Sequence, residues 1–154
     1  MQRFEITPDE LERLRLRIGD LLIVEGNGSR DHIGRNAIFD ISGEEWIHQN
    51  HVIRVRLLSD IAIPEFISLY LNSPQGTAQL LDKARTTSGL YTLSVGKISS
   101  LVVPVPPVEH QTAFTGKLRT QAATADQARR SAKSELATIA ALPAALLRRT
   151  FQLS

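Results

Sequence analysis

The sequence predicts an α+β fold: a small mixed α/β domain over residues 1–105, followed by a long coiled-coil-like helix within residues 106–154. Three observations carry this expectation. Short apolar runs such as DLLIV (20–24) and HVIRVRL (51–57) are separated by turns rich in glycine and asparagine. Helix-start signals precede several of the remaining segments. After Pro106-Pro107 the composition becomes alanine-rich, with one glycine, Gly116, and no proline until Pro143.

Thr7-Pro8-Asp9-Glu10 combines a capping hydroxyl, a proline at the first helical position and a glutamate three residues after the cap. That helix is expected to end near Ile18-Gly19. The run 20–24 reads as a buried strand and turns at Glu25-Gly26-Asn27-Gly28-Ser29, where Gly and Asn accept a positive φ. Residues 33–39 and 51–57 are further strands, the second alternating Val52, Arg54 and Arg56 with Ile53, Val55 and Leu57. PEFISLYL (64–71) reads as a helix with Phe66, Ile67, Tyr70 and Leu71 on one face. Ser73-Pro74 caps another, reaching about Ala84. A short helix over 94–100 and a strand over 101–105 follow, the strand ended by prolines that lack a ladder N–H.

The long helix is expected from 108 to about 142, roughly 50 Å at about 1.5 Å per residue. Leu118, Ala125, Ala132 and Ile139 recur every seven residues, with Phe114 and Leu136 flanking them. This is a seam for another helix, and its small residues allow close approach of the axes. So long a helix lacks enough surface in its own domain to bury the stripe. A partner helix is therefore expected, from another chain by self-association or from a further part of the same one. Pro143 is expected to break the helix before a short terminal one over 144–151.

A chain of 154 residues accommodates about one domain and an appendage. The absence of cysteine excludes disulfides, thiolate metal sites and a cysteine nucleophile, and fits a cytoplasmic location. The N-terminus has no apolar leader, and no run approaches the length of a membrane span. Net charge is +2 but unevenly spread: −5 over residues 1–82 and +7 over 83–154. A basic second half suits a polyanionic partner.

Enzyme signatures are missing: there is no GxGxxG, P-loop, HExxH or GxSxG. Gly26-Asn27-Gly28-Ser29 is followed by a turn and a strand, not by the helix N-terminus that a phosphate site needs. His48 and His51, three apart on an expected strand, would face opposite ways, and Glu44-Glu45 has no accompanying base. No catalytic residue, metal site or cofactor is therefore expected. Three polar loops stand out instead. They hold Arg30, Arg35 and Asn36; Gln49 and Asn50; and Arg85, Thr87, Ser88, Tyr91 and Lys97. Arginine can grip guanine bidentately and Asn or Gln adenine, while hydroxyls hold phosphates, so these are the candidate DNA contacts.

The segments GDLLIVEGNGSRDHIGRNAIF, WIHQNHVIRVR, RTTSGLYTLSVGKISSLVVPVPPVEHQ and LPAALLRRTF together resemble, in order, the DNA-specificity subunit of Type I restriction–modification enzymes. The likeness is to one target recognition domain and the helical region after it. It implies a non-catalytic, sequence-specific DNA reader whose long helix is a spacer. It also implies double-stranded DNA and methyltransferase subunits as partners, and the restriction subunit through the complex. Catalysis and S-adenosylmethionine would belong to those partners. Two departures are visible. The family's PPxxEQ appears as Pro106-Pro107-Val108-Glu109-His110-Gln111, and the several dozen residues expected before Phe4 are replaced by the initial methionine. A shortened form of this kind could instead serve as a dimerising or methyltransferase-binding scaffold that does not bind DNA.

Overall fold

The computed structural model describes residues 7–26, 32–49, 51–58, 60–84 and 91–151, with side chains omitted for 148–150. Its elements run α1 (Pro8–Leu14), β1 (Leu21–Val24), β2 (Asn36–Ile38), β3 (Val52–Val55), α2 (Pro64–Leu71), α3 (Pro74–Ala84), α4 (Val95–Ser99) and α5 (Val108–Phe151). The strands form one antiparallel sheet in the order β2-β1-β3. Leu21 lies opposite Ile38 on one side and Val55 on the other. The chain divides into two compact units, Met1–Thr115 and Gly116–Ser154.

Strand alternation sets the core of the first unit. Leu21 and Ile23 are fully buried, whereas Leu22 and Val24 are half-buried. Ile53 joins them from β3, Ile67 and Leu71 from α2, and Leu80 and Ala84 from α3. Phe66 and Tyr70 pack around the edge of this cluster, completing the expected face of α2. Burial of aliphatic side chains, each worth about 1.5–3 kcal/mol, is the main force holding the layers together.

Local signals set the starts of three helices. Thr7 and Glu10 form a reciprocal capping box, the Ser73 hydroxyl accepts the Gly76 N–H, and Ser94 caps α4. α2 and α3 approach so closely at Gly76 that a Cβ there would lie 2.7 Å from the Leu71 Cα and still nearer the Tyr70 carbonyl. Gly34 has φ +72°, and a Cβ would lie 2.9 Å from the Leu80 side chain.

Four expected elements differ, and one of them, the strand over 33–39, shrinks to Asn36–Ile38 because the chain turns at Gly34 with a φ of +72°. α1 stops at Leu14 because Arg15 turns extended and pairs with Ile47. Residues 101–105 form no strand. Their polar backbone atoms find side chains instead: the Val102 N–H donates to Gln79 Oε1, and its carbonyl accepts from Gln79 Nε2 and the Tyr70 hydroxyl. Finally, α5 continues through Pro143 to Phe151 as a single helix of 44 residues. Pro143 gives no N–H to the Ile139 carbonyl and its ring crowds that oxygen, but this stretch is exposed, so the carbonyl can tilt outward and water can serve it.

The beginning of α5, to Thr115, belongs to the first unit and is fixed there by Gln111, which is fully buried. Its Nε2 donates to the carbonyls of Ile61 and Pro106, and its Oε1 accepts the Ile63 N–H. A buried primary amide is costly unless paired, and here both ends are paired. Phe114 meets Phe66 edge to face, with ring centroids 6.2 Å apart.

Candidate nucleic-acid interface

The roots of the three polar loops meet at one end of the sheet. β1 ends at Val24, which pairs with Val52 at the start of β3, while Ile23 pairs with Asn36 at the start of β2. The next residue, Glu25, joins two loops: its N–H donates to the His51 carbonyl at 2.9 Å, and its carbonyl accepts the Leu93 N–H at 2.6 Å. Gly26 then bridges to Thr92. Loop one leaves from Gly26, loop two enters β3 through His51, and loop three returns at Tyr91–Leu93. Their roots are thus joined by main-chain hydrogen bonds, although Gly26 and Thr92 are far apart in sequence.

Each root has its own closure. For loop three, the Thr92 N–H donates to the Ala84 carbonyl, and the Lys97 ammonium reaches the carbonyls of Thr92 at 2.8 Å and Ala84 at 3.5 Å. His51 takes a φ of +76°, a left-handed turn that starts β3. Loop two is paired along 46–48 with the extended segment after α1. The Leu16 N–H donates to the Trp46 carbonyl, the His48 N–H to the Leu14 carbonyl, and Arg15 bridges Ile47.

The candidate contacts are held differently by the fold. Arg35 and Gln49 are exposed. Asn36 is tied into the fold: its Oδ1 accepts from the Ser68 hydroxyl at 2.7 Å and from Asn72, and its buried Nδ2 has no partner among the described residues. Tyr91 packs against the core, and Lys97 staples loop three. Arg30, Asn50, Arg85, Thr87 and Ser88 lie outside the described residues. Of the helix seam, Leu136 and Ile139 are 67% and 62% exposed and Ala125 and Ala132 are exposed. Leu118 is half-buried, and Phe114 is the seam residue that packs on α2.

A second network, on the sheet face away from Leu21 and Ile23, escaped the sequence reading. Asp20, 1% exposed, accepts Arg56 Nε and a terminal guanidinium N–H, both at 2.7 Å, and the Arg17 N–H at 2.8 Å. Burial pushes the Asp20 carboxyl up, but the Arg56 hydrogen bonds, the Arg17 N–H and the charges of Arg56 and Arg54 outweigh it. The net effect holds the group below the ordinary carboxylate value. His48 is shifted down by burial and then by the Arg54 charge, which together exceed the opposing Val52 backbone bond and Asp20 charge. The alternation of Arg54 and Arg56 with apolar residues was visible in the sequence. Their shared target, the Arg15 carbonyl, was not. His48 itself lies before β3, outside any strand, so strand geometry does not relate it to His51.

Among the described residues no group of three or more His, Cys, Asp or Glu could hold a metal, and no helix is long and apolar enough to cross a membrane. The chain is 30% identical over 149 residues to the Type I restriction enzyme EcoKI specificity subunit of Escherichia coli K12. This chain resembles Type I specificity subunits. The likeness extends over 96% of it, and a second specificity subunit, StySPI of Salmonella potsdam, is 24% identical over 98%. The chain spans about a third of the length of these curated specificity subunits, 32% and 33% respectively. No protein-family model matches it.

Proposed function

We propose that this chain is a DNA-recognition and assembly module of a Type I restriction–modification system and carries no catalytic centre of its own. The observation that carries the reading is the junction at Glu25-Gly26, where three loops rich in Arg, Asn, Gln and hydroxyl side chains share one root. Similarity to two specificity subunits along nearly the whole chain supports the same reading. Duplex DNA would lie against this end of the sheet. Arg35 and Gln49 would contact it directly, joined by Arg30, Asn50, Arg85, Thr87 and Ser88. Asn36, Tyr91 and Lys97 would act by holding the loop roots. Methylation and cleavage would fall to methyltransferase and motor-nuclease partners, which would also hold S-adenosylmethionine.

Binding to a random duplex at low salt tests the proposal: the chain should shift the DNA, and affinity should fall steeply as salt rises. Arg35→Ala should lower the slope of log affinity against log salt by about one if it holds a phosphate. No shift at any salt would favour the second reading, a scaffold without DNA binding. The exposed Leu136 and Ile139 on α5 favour helix-mediated association under either reading.

A further inference from the structure

Gln49 sits on a loop with no regular secondary structure, and the question is what holds that loop still. Residues 46–48 are paired to residues 14–16 by the Leu16 and His48 amides. The 14–16 segment is in turn gripped at a single atom. Arg54 donates to the Arg15 carbonyl at 2.7 Å, and Arg56 donates to the same oxygen at 3.1 Å. A carbonyl has two lone pairs, and two guanidinium groups saturate both with charge-assisted bonds. Arg56 also serves Asp20, but Arg54 has no carboxylate partner among the described ion pairs. Its charge reaches Asp20, but its hydrogen bond goes to the Arg15 carbonyl, and that bond fixes the position of the backbone.

We propose that Arg54 is a positioning residue for the second recognition loop: by holding the Arg15 carbonyl it seats the Trp46–His48 segment and so sets where Gln49 stands. The inference rests on the DNA-reading function proposed above. It adds that part of the base preference is controlled from β3, by a side chain that does not itself touch DNA. The linkage runs from Arg54 to Arg15, from Arg15 to Ile47, and along the chain to Gln49. β3 is anchored to β1, so the second loop is referenced to the same strand whose end joins the other two.

The test uses the full chain and Arg54→Met, which keeps an unbranched apolar stem and removes every donor. Amide hydrogen exchange should quicken by about tenfold at Leu16 and His48, the equivalent of one lost hydrogen bond, and stay unchanged at Val24 and Leu93. Selection from a randomised duplex pool should show Arg54→Met losing preference at the base pairs that Gln49→Ala also loses, with the salt slope kept. Unchanged exchange at Leu16 and His48 would overturn the proposal. So would an equal loss at Val24 and Leu93, or lost preference at base pairs that Gln49→Ala leaves alone. If the wild-type chain selects no sequence, the DNA-reading function has failed, and the brace stands or falls on the exchange result.

Discussion

Gln111 accepts the backbone N–H of Ile63 through its side-chain Oε1 at 3.0 Å, across 48 residues of chain. The same amide spans the Ile61 and Pro106 carbonyls, so one buried side chain joins the approach to α2, the double proline and the first turn of α5. Gln111→Ala would strand three backbone groups. It should destabilise the first unit by about 3 kcal/mol, within the range for several unsatisfied buried groups. Urea unfolding followed through Trp46, the chain's single tryptophan, measures this directly. A midpoint unchanged from wild type would show that the amide does not hold the helix start.

Asp20 gives stability a defined dependence on acid. Its folded pKa lies below the unfolded one, so the unfolded chain takes up the proton first as pH falls. The contribution is complete above the ordinary value of about 3.9 and is lost as pH falls through the folded value beneath it. Asp20→Asn should cost about 2 kcal/mol at neutral pH, moderated because Arg56 is partly exposed and can rehydrate. The gap between variant and wild type should close in strong acid. A gap independent of pH would rule out the charge as its source.

His48 acts in a higher window. Its folded pKa is held below the ordinary value by burial and by Arg54, so its neutral form stabilises the fold fully above about 6.5, and that stability is lost as pH falls from there toward the folded pKa. Thermal unfolding at pH 7.5 and 5.5 should therefore differ less in His48→Asn than in wild type, and an equal difference in the two proteins would place the pH dependence elsewhere.

Two glycines should respond oppositely to alanine. At Gly76 the new Cβ meets the Tyr70–Leu71 backbone, and α2 and α3 must separate, costing about 2–3 kcal/mol. At Gly116, within α5, nothing lies within 4 Å. Alanine there should stabilise the helix by about 1 kcal/mol. Denaturation of both variants, with helicity followed by circular dichroism, separates the two effects.

The apolar face of α5 predicts assembly. Leu118→Asp combined with Leu136→Asp should lower the mass seen by sedimentation while helical content stays high. An oligomer that survives this pair would place the interface on other residues.

Much of the fold was legible because its signals are local. The Thr7 capping box, the Ser73-Pro74 start, the buried alternation of Leu21 and Ile23, and the double proline before α5 each depend on neighbours a few residues away. Such features are written in spacing and backbone chemistry, and the amino-acid order alone determined them. The polar residues of the three loops could likewise be named in advance. Which of those residues remain free to meet a partner could not. Asn36 and Lys97 have the composition of DNA contacts, and in the fold they hydrogen-bond Ser68 and the Thr92 carbonyl. The extended stretch at 101–105 had the pattern of a strand, but Gln79 and Tyr70 took its hydrogen bonds. Only the tertiary structure decided these matters, because a polar side chain's task depends on which donor or acceptor reaches it. Apart from Thr92, five residues from Lys97, those partners come from segments 23 to 32 residues away, brought close only when the core has closed.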